Sequence, residues 1–310
     1  MRQALLEARH VTPALRSLID AWVGRRARPS REALAAVAGR EPATVVTGAS
    51  RGIGLALARR FAEAGDTIVL VARRAGPLED AAAALARDHR VKTVPVALDI
   101  TATDAPAAIE QALADHGLYG DRLINNAGIG LTGAFFAHDA EDIDRLIALN
   151  VTALTRLTRH ALGEMRARGR GGILNVASLG GYTPGPYQAA YYASKAYVIS
   201  LTEAIAAETA GAGVRIAVLA PGPVATGFHA AMGAEAALYR ALIPALSPER
   251  VARAAYRGFM LGRRVIVPGV LGTPMAYALR IIPHPILVPL IGVLLDPASL
   301  KPISPKDAGK

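Results

Sequence analysis

From Pro42 onward the chain alternates short apolar runs with longer segments of mixed polarity. The apolar runs cover residues 43–47, 67–72, 93–98, 122–125, 172–178, 215–220 and 264–268. They are rich in Val, Ile and Leu and do not alternate with polar residues, which predicts strands covered on both faces. Segments between them, such as 54–64 and 194–210, have helical length. Strand–helix repetition predicts an α/β fold, a parallel sheet with helices on both sides. Right-handed crossovers then make the sheet doubly wound. One domain is expected over 42–270. Residues 1–41 form a basic extension, read as two short helices flanking Arg25, Arg26, Arg28 and Arg31. Residues 271–310 form an apolar extension that ends in a polar tail.

Composition narrows this picture. Of 310 residues, 52% are hydrophobic, enough for a sizeable core and contrary to disorder. The absence of cysteine excludes disulfides, thiolate metal sites and cysteine nucleophiles, and it fits a reducing compartment. The formal charge of +10 is unevenly placed. Residues 1–42 hold eight Arg against four acidic residues, and residues 250–310 hold nine Lys/Arg against two. The stretch between them is close to neutral. No secretory leader is read at the N-terminus. The longest apolar stretch, 265–295, is interrupted by Arg280, His284 and five prolines, so it is not expected to span a membrane.

Chemistry enters where the first strand meets its helix. There Gly48, Ser50, Arg51, Gly52, Ile53 and Gly54 form a glycine-rich loop. Glycines allow a sharp turn and a close approach by a pyrophosphate, and the following helix N-terminus offers free N–H groups. The plain alternative is a strand–helix turn with no ligand. At the end of the second strand, Ala72 stands where an NAD enzyme places a carboxylate for the ribose 2′-hydroxyl. Arg73 follows it, and with Arg51 it supplies two guanidiniums suited to a 2′-phosphate. The competing reading of Arg73 is a solvated loop charge.

Tyr191 and Lys195 lie four residues apart on a helix, hence on one face. A nearby ammonium favours the phenolate, so Tyr191 is expected to have its pKa lowered toward the range of general acid/base work. Ser178 precedes Tyr191 by thirteen residues, at a strand's C-terminal end, where ligands of open α/β sheets bind. Its hydroxyl can bond a substrate oxygen as charge develops. Tyr192 is a rival for the proton-transfer role, being three residues from Lys195.

The loop spacing Gly48, Gly52, Gly54 and the Ser178, Tyr191, Lys195 register together resemble the short-chain dehydrogenase/reductase family over residues 43 to about 270. The resemblance implies a Rossmann fold and an NADP(H)-dependent enzyme that moves a hydride between nicotinamide and a carbonyl or alcohol carbon. It selects Tyr191 over Tyr192 and gives Lys195 a second task on the nicotinamide ribose. Asn150 would hold a water in the proton relay. Asp99 would contact adenine, although a turn or helix cap serves it nearly as well. Asn126, Ala127 and Gly128 would line the cofactor cleft, with a structural role the better reading for the asparagine. Pro221, Gly222, Val224 and Thr226 would face the nicotinamide carboxamide. The resemblance also implies a homodimer or homotetramer paired through the helices around Asn150 and Tyr191.

Residues 227–247 then form a substrate lid carrying Phe228, Met232, Leu238, Tyr239 and Leu242. An apolar lid points to reduction of an apolar ketone or aldehyde, with ordinary core packing as the alternative. Basic and apolar residues at both termini are consistent with one peripheral membrane face on a cytoplasmic protein, or with packing on the domain. No metal and no nucleic-acid partner is expected. A non-catalytic NADP-binding scaffold on the same fold is the other functional class.

Overall fold

In a computed structural model of the chain, residues 18–19, 21–234, 238–239, 243–270 and 272–296 are described. The seven apolar runs form β1 Glu41–Thr47, β2 Thr67–Ala72, β3 Thr93–Ala97, β4 Leu118–Asn125, β5 Gly171–Val176, β6 Val214–Leu219 and β7 Val265–Ile266. All pair in parallel, in the order β3-β2-β1-β4-β5-β6-β7. Successive strand residues point to opposite faces and bury both. Val45, Val69, Leu123, Ile173 and Ile216 enter one core, and Val46, Leu70, Ile124, Leu174 and Leu219 enter the other. This is why the strands read as continuous apolar runs.

The helices are α1 Arg31–Ala36, α2 Gly52–Ala62, α3 Ala75–His89, α4 Ala105–Asp115, α5 Ala140–Ile147, α6 Leu154–Arg168, α7 Ala189–Glu208, α8 Phe228–Ala231, α9 Pro248–Met260, α10 Gly272–Ile281 and α11 His284–Leu295. Helices α2, α3 and α9 cover one face of the sheet, and α4 and α6 cover the other. Between β4 and β5 a buried polar chain fixes α7. Asn125 Nδ2 donates to Thr158 Oγ1 at 3.0 Å and to Asn175 Oδ1 at 2.9 Å, and Asn175 Nδ2 donates to Thr202 Oγ1 at 2.9 Å. These buried bonds specify one helix position, although Asn125 Oδ1 itself has no partner among the described residues.

Two expectations need correction. Strand β4 begins at Leu118, four residues before the apolar run, because Asp121 and Arg122 are buried there as ion-paired residues and interrupt the apolar pattern. The described parts of the two terminal extensions do not share a face. Among the described residues, the N-terminal segment packs against the turns that precede β5 and β6. Arg26 N donates to Gly211 O at 2.7 Å, and Gly213 N donates to Val23 O at 3.0 Å. Helices α10 and α11 instead sit at the other edge, beyond the strands' C-terminal ends, beside Leu179–Tyr182 and the residues after β6. The sheet's length separates the two regions. Arg263 and Arg264, which precede β7, lie at the N-terminal edge as well.

Candidate active site

The sheet's C-terminal edge opens into a cavity of about 790 Å³. One wall is the glycine loop. Gly48 and Gly52 have φ of +65° and +60°, values that favour glycine. A Cβ on Gly54 would lie 2.2 Å from the Gly48 carbonyl oxygen, so the loop and α2 pack too closely for any side chain. Arg51 caps α2 without a side-chain hydrogen bond to its first N–H groups. Close backbone approach and free helix N–H groups suit a pyrophosphate, so these residues fit a dinucleotide. Asn126 secures the loop: its Nδ2 donates to the carbonyls of Thr47 at 3.0 Å and Gly48 at 3.3 Å. Gly48, Arg51, Gly52, Ile53, Asn126, Ala127 and Gly128 all line the cavity.

Ser178, Tyr191 and Lys195 meet at its centre, opposite Pro221, Gly222, Val224 and Thr226. Helix α7 starts at Ala189, five residues before the helix-length segment at 194, so Tyr191 falls in its first turn. The Tyr191 phenol hydrogen-bonds the Ser178 side chain, whose Oγ also accepts from Gly180 N at 3.2 Å. The Lys195 ammonium lies 5.8 Å from the Tyr191 ring centroid and donates to the Val176 carbonyl at 3.0 Å. Two of its three N–H donors are free for other acceptors at that contact.

The electrostatics differ from the expectation. Burial pushes the Tyr191 phenol up to about 12, only partly offset by the Ser178 hydrogen bond. Burial also pushes the Lys195 ammonium down to about 8. Both charged forms are penalised by the same apolar surroundings, and that cost outweighs the attraction between them. The phenol is therefore fully protonated at neutral pH, the form an acid needs. Tyr192 also reaches the cavity, and its ring packs on Gly180 and Gly185. Its phenol is raised by burial, with no hydrogen bond contributing.

Asn150 sits in a π-helical turn, Ala148–Ala153, between α5 and α6. Its Oδ1 accepts from Ile129 N at 2.9 Å, and its Nδ2 donates to Ile129 O at 2.8 Å and Ser194 Oγ at 3.1 Å. The side chain thus clasps the loop after β4 to α7. π turns recur at functional sites, and nothing in the sequence signalled this one. Four predicted cofactor contacts lie outside the cavity lining. Gly54 is buried against the Gly48 carbonyl, Ser50 is half-buried, and Arg73 and Asp99 are exposed at the strand ends beside one another. Asp99 Oδ1 accepts from Thr101 N at 3.0 Å and Thr101 Oγ1 at 2.7 Å, which lowers its carboxyl pKa, and Arg73 adds to the effect. That is the turn-forming role weighed above.

Part of the 227–247 segment packs against the site, as either a lid or ordinary core packing would. Phe228 stacks at 5.7 Å from Tyr191, Met232 is buried, and Tyr239 OH bonds His229 Nδ1 at 2.8 Å. Leu242 lies outside the described residues. The sequence reading missed Gln188, a buried cavity residue whose Nε2 has no acceptor among the described residues. It also missed that α10 and α11 supply a wall, through Leu279, Leu287 and Ile291. Their apolar character was legible, but their docking site was not.

The model of the short chain dehydrogenase family matches residues 42–237. This chain belongs to that family. It is an oxidoreductase fold member whose family works on nicotinamide cofactors. Among its relatives, a ketoacyl reductase, HetN, of Nostoc sp. is 37% identical over 58% of this chain and 62% of its own length. A very-long-chain 3-oxoacyl-CoA reductase of Danio rerio is 36% identical over 59% of this chain and 58% of its own length. The chain therefore spans less than two thirds of either relative. A short-chain dehydrogenase from Sphingobium yanoikuyae, solved in complex with NADPH, superposes with a TM-score of 0.69 at 33% identity, covering 77% of this chain and 92% of that one. A bulky-bulky ketone specific alcohol dehydrogenase from Comamonas testosteroni does so at 0.64 and 29%, covering 79% and 96%.

Proposed function

We propose that the protein reduces an apolar ketone or aldehyde with NADPH. The observation that carries this reading is the meeting of Ser178, Tyr191 and Lys195 in one cavity, between a glycine loop and an apolar helical wall. NADPH supplies the hydride when bound. The glycine loop and the N-terminus of α2 would hold its pyrophosphate, and Arg51 and Arg73 its 2′-phosphate. Ala72 leaves no carboxylate to repel that phosphate. Relatives named for 3-oxoacyl and bulky-ketone substrates, and a neighbour bound to NADPH, support the same class.

Tyr191 gives its proton to the substrate oxygen, which Ser178 steadies by hydrogen bonding. Lys195, cationic below about pH 8, stabilises the phenolate left behind. Phe228 and Met232 exclude water above the phenol. A phenol protonated at neutral pH is ready to act as the acid in the reductive direction. The same reading has the protein act in the cytoplasm as a homodimer or homotetramer. The exposed Ile147 and Tyr197, on α5 and α7, fit a subunit interface there.

The test is NADPH oxidation with a panel of hydrophobic ketones. NADPH is expected to exceed NADH by about tenfold or more in kcat/KM, and Arg51→Asp with Arg73→Asp to abolish the preference. Equal use of NADH by the wild type would overturn the NADP assignment. Tight NADPH binding without turnover of any ketone would favour the scaffold class instead.

A further inference from the structure

We propose that the outer faces of α10 and α11 dock onto a lipid bilayer, with anionic headgroups preferred, and that the cavity takes its substrate from that bilayer. The second clause rests on the reductase reading above. Both helices lie beyond the residues matched by the family model, which ends at 237.

Helix α11 is apolar around its whole circumference. Residues 285–295 hold no polar side chain. One stripe, Leu287, Ile291, Leu294 and Leu295, lines the cavity. The next stripe, Ile286 and Leu290, is 66% and 56% exposed, one turn apart. On α10 the same holds for Tyr277 and Ile281, 61% and 77% exposed, and Val270 just before it is 96% exposed. A helix apolar all round is ordinarily a buried helix. Here only Leu287 and Leu295 are buried, and Leu290 belongs both to the exposed stripe and to the cavity wall. The exposed patch is therefore continuous with the cavity mouth.

Three observations favour lipid as the occupant. First, the large exposed side chains of the patch, Val270, Ile281, Ile286, Leu290 and Val293, are aliphatic, and Tyr277 is the one aromatic among them. A protein interface carries a hydrogen bond per one or two hundred Å² or so, whereas acyl chains demand none. Second, α11 has 12 residues, about 18 Å of helix, too short for a hydrocarbon core of about 30 Å. No helix among the described residues is long and apolar enough to cross a membrane, so the patch lies on a bilayer and does not traverse it. Third, the sequence of residues 271–310 carries a net positive charge that anionic headgroups complement, although Arg280 is paired with Glu203 and Lys301, Lys306 and Lys310 lie outside the described residues. A tyrosine and an arginine beside aliphatic residues suit the headgroup boundary.

The test floats the full chain through a density gradient with vesicles of phosphatidylcholine, alone and mixed with phosphatidylglycerol. The wild type floats with both and more completely with the mixture. Ile281→Asp with Ile286→Asp weakens vesicle partition about a hundredfold. Neither residue lines the cavity, so NADPH oxidation with a water-soluble ketone is unchanged, while reduction of a long-chain ketone held in vesicles falls with flotation. A wild type that stays unbound with both vesicles overturns the proposal. So does a double variant that floats like the wild type. A double variant that instead splits a dimer, seen by size exclusion, assigns the patch to a second copy. Flotation without turnover of the soluble ketone sinks the reductase reading and the substrate route, a failure distinct from loss of flotation.

Discussion

Across the cavity, the glycine-loop wall and the C-terminal helix wall are held by different forces. On the loop side, backbone meets backbone. Gly54 touches the Gly48 carbonyl, and Asn126 clamps two carbonyls of the same turn. On the helix side, α10 and α11 are held largely by aliphatic contacts, with Arg280 paired to Glu203 at 2.9 Å and lying over the Tyr182 ring, and large apolar side chains are left in the open. Directional bonds fix a shape that any member of the family needs for the same nucleotide. Nondirectional packing leaves the other wall free to suit a particular substrate. Between the walls stand Tyr191 and Lys195, and burial of the Lys195 ammonium costs stability at neutral pH.

The comparison breaks most sharply at Gly54. Gly54→Ala puts a methyl into the Gly48 carbonyl, and neither backbone can retreat cheaply. We expect a loss of about 3 kcal/mol in denaturant unfolding and no measurable NADPH binding by fluorescence. Near-normal binding would show that the loop is softer than its contacts imply.

Lys195→Met sharpens the contrast from the middle. The folded pKa of about 8 lies below the ordinary 10.5, so the buried ammonium destabilises the protein fully below pH 8. Removing it is expected to raise stability at pH 7 by about 2 kcal/mol, after allowing for the lost bond to the Val176 carbonyl, while activity disappears. Between pH 8 and 10 the wild type should gain stability with rising pH, because the unfolded chain holds a proton the folded chain has released. The variant should be flat over that range. A wild type that loses stability there would show the ammonium to be favourably placed.

Thr202→Val tests the smallest effect. It leaves Asn175 Nδ2 without its acceptor and should cost about 1 kcal/mol while slackening α7 against β5. An unchanged Tm would show that the buried chain does not position the helix.

Much of this was legible in the sequence, for identifiable reasons. The strands showed as apolar runs because both sheet faces are covered, and β4 was shortened the most, where the buried ion-paired Asp121 breaks the apolar pattern. The glycine loop and the Ser178, Tyr191, Lys195 register could be read because tight turns and helical spacing leave fixed intervals. What failed was tertiary. The sequence left open whether the basic N-terminal segment and the apolar C-terminal helices share one face or pack on the domain; among the described residues the sheet's length separates them, a fact no local pattern encodes. The direction of the Tyr191 shift was also misread, since helical spacing reveals a neighbouring charge but not how little water reaches it. Gln188 and the π turn at Asn150 left no periodic trace.

The central claim is that Tyr191, and not its neighbour, delivers the proton. Steady-state NADPH oxidation with a hydrophobic ketone should fall about a thousandfold in Tyr191→Phe, with NADPH binding intact, and stay near wild type in Tyr192→Phe. Equal losses in the two variants, or a Tyr191→Phe enzyme that turns over normally, would contradict the account.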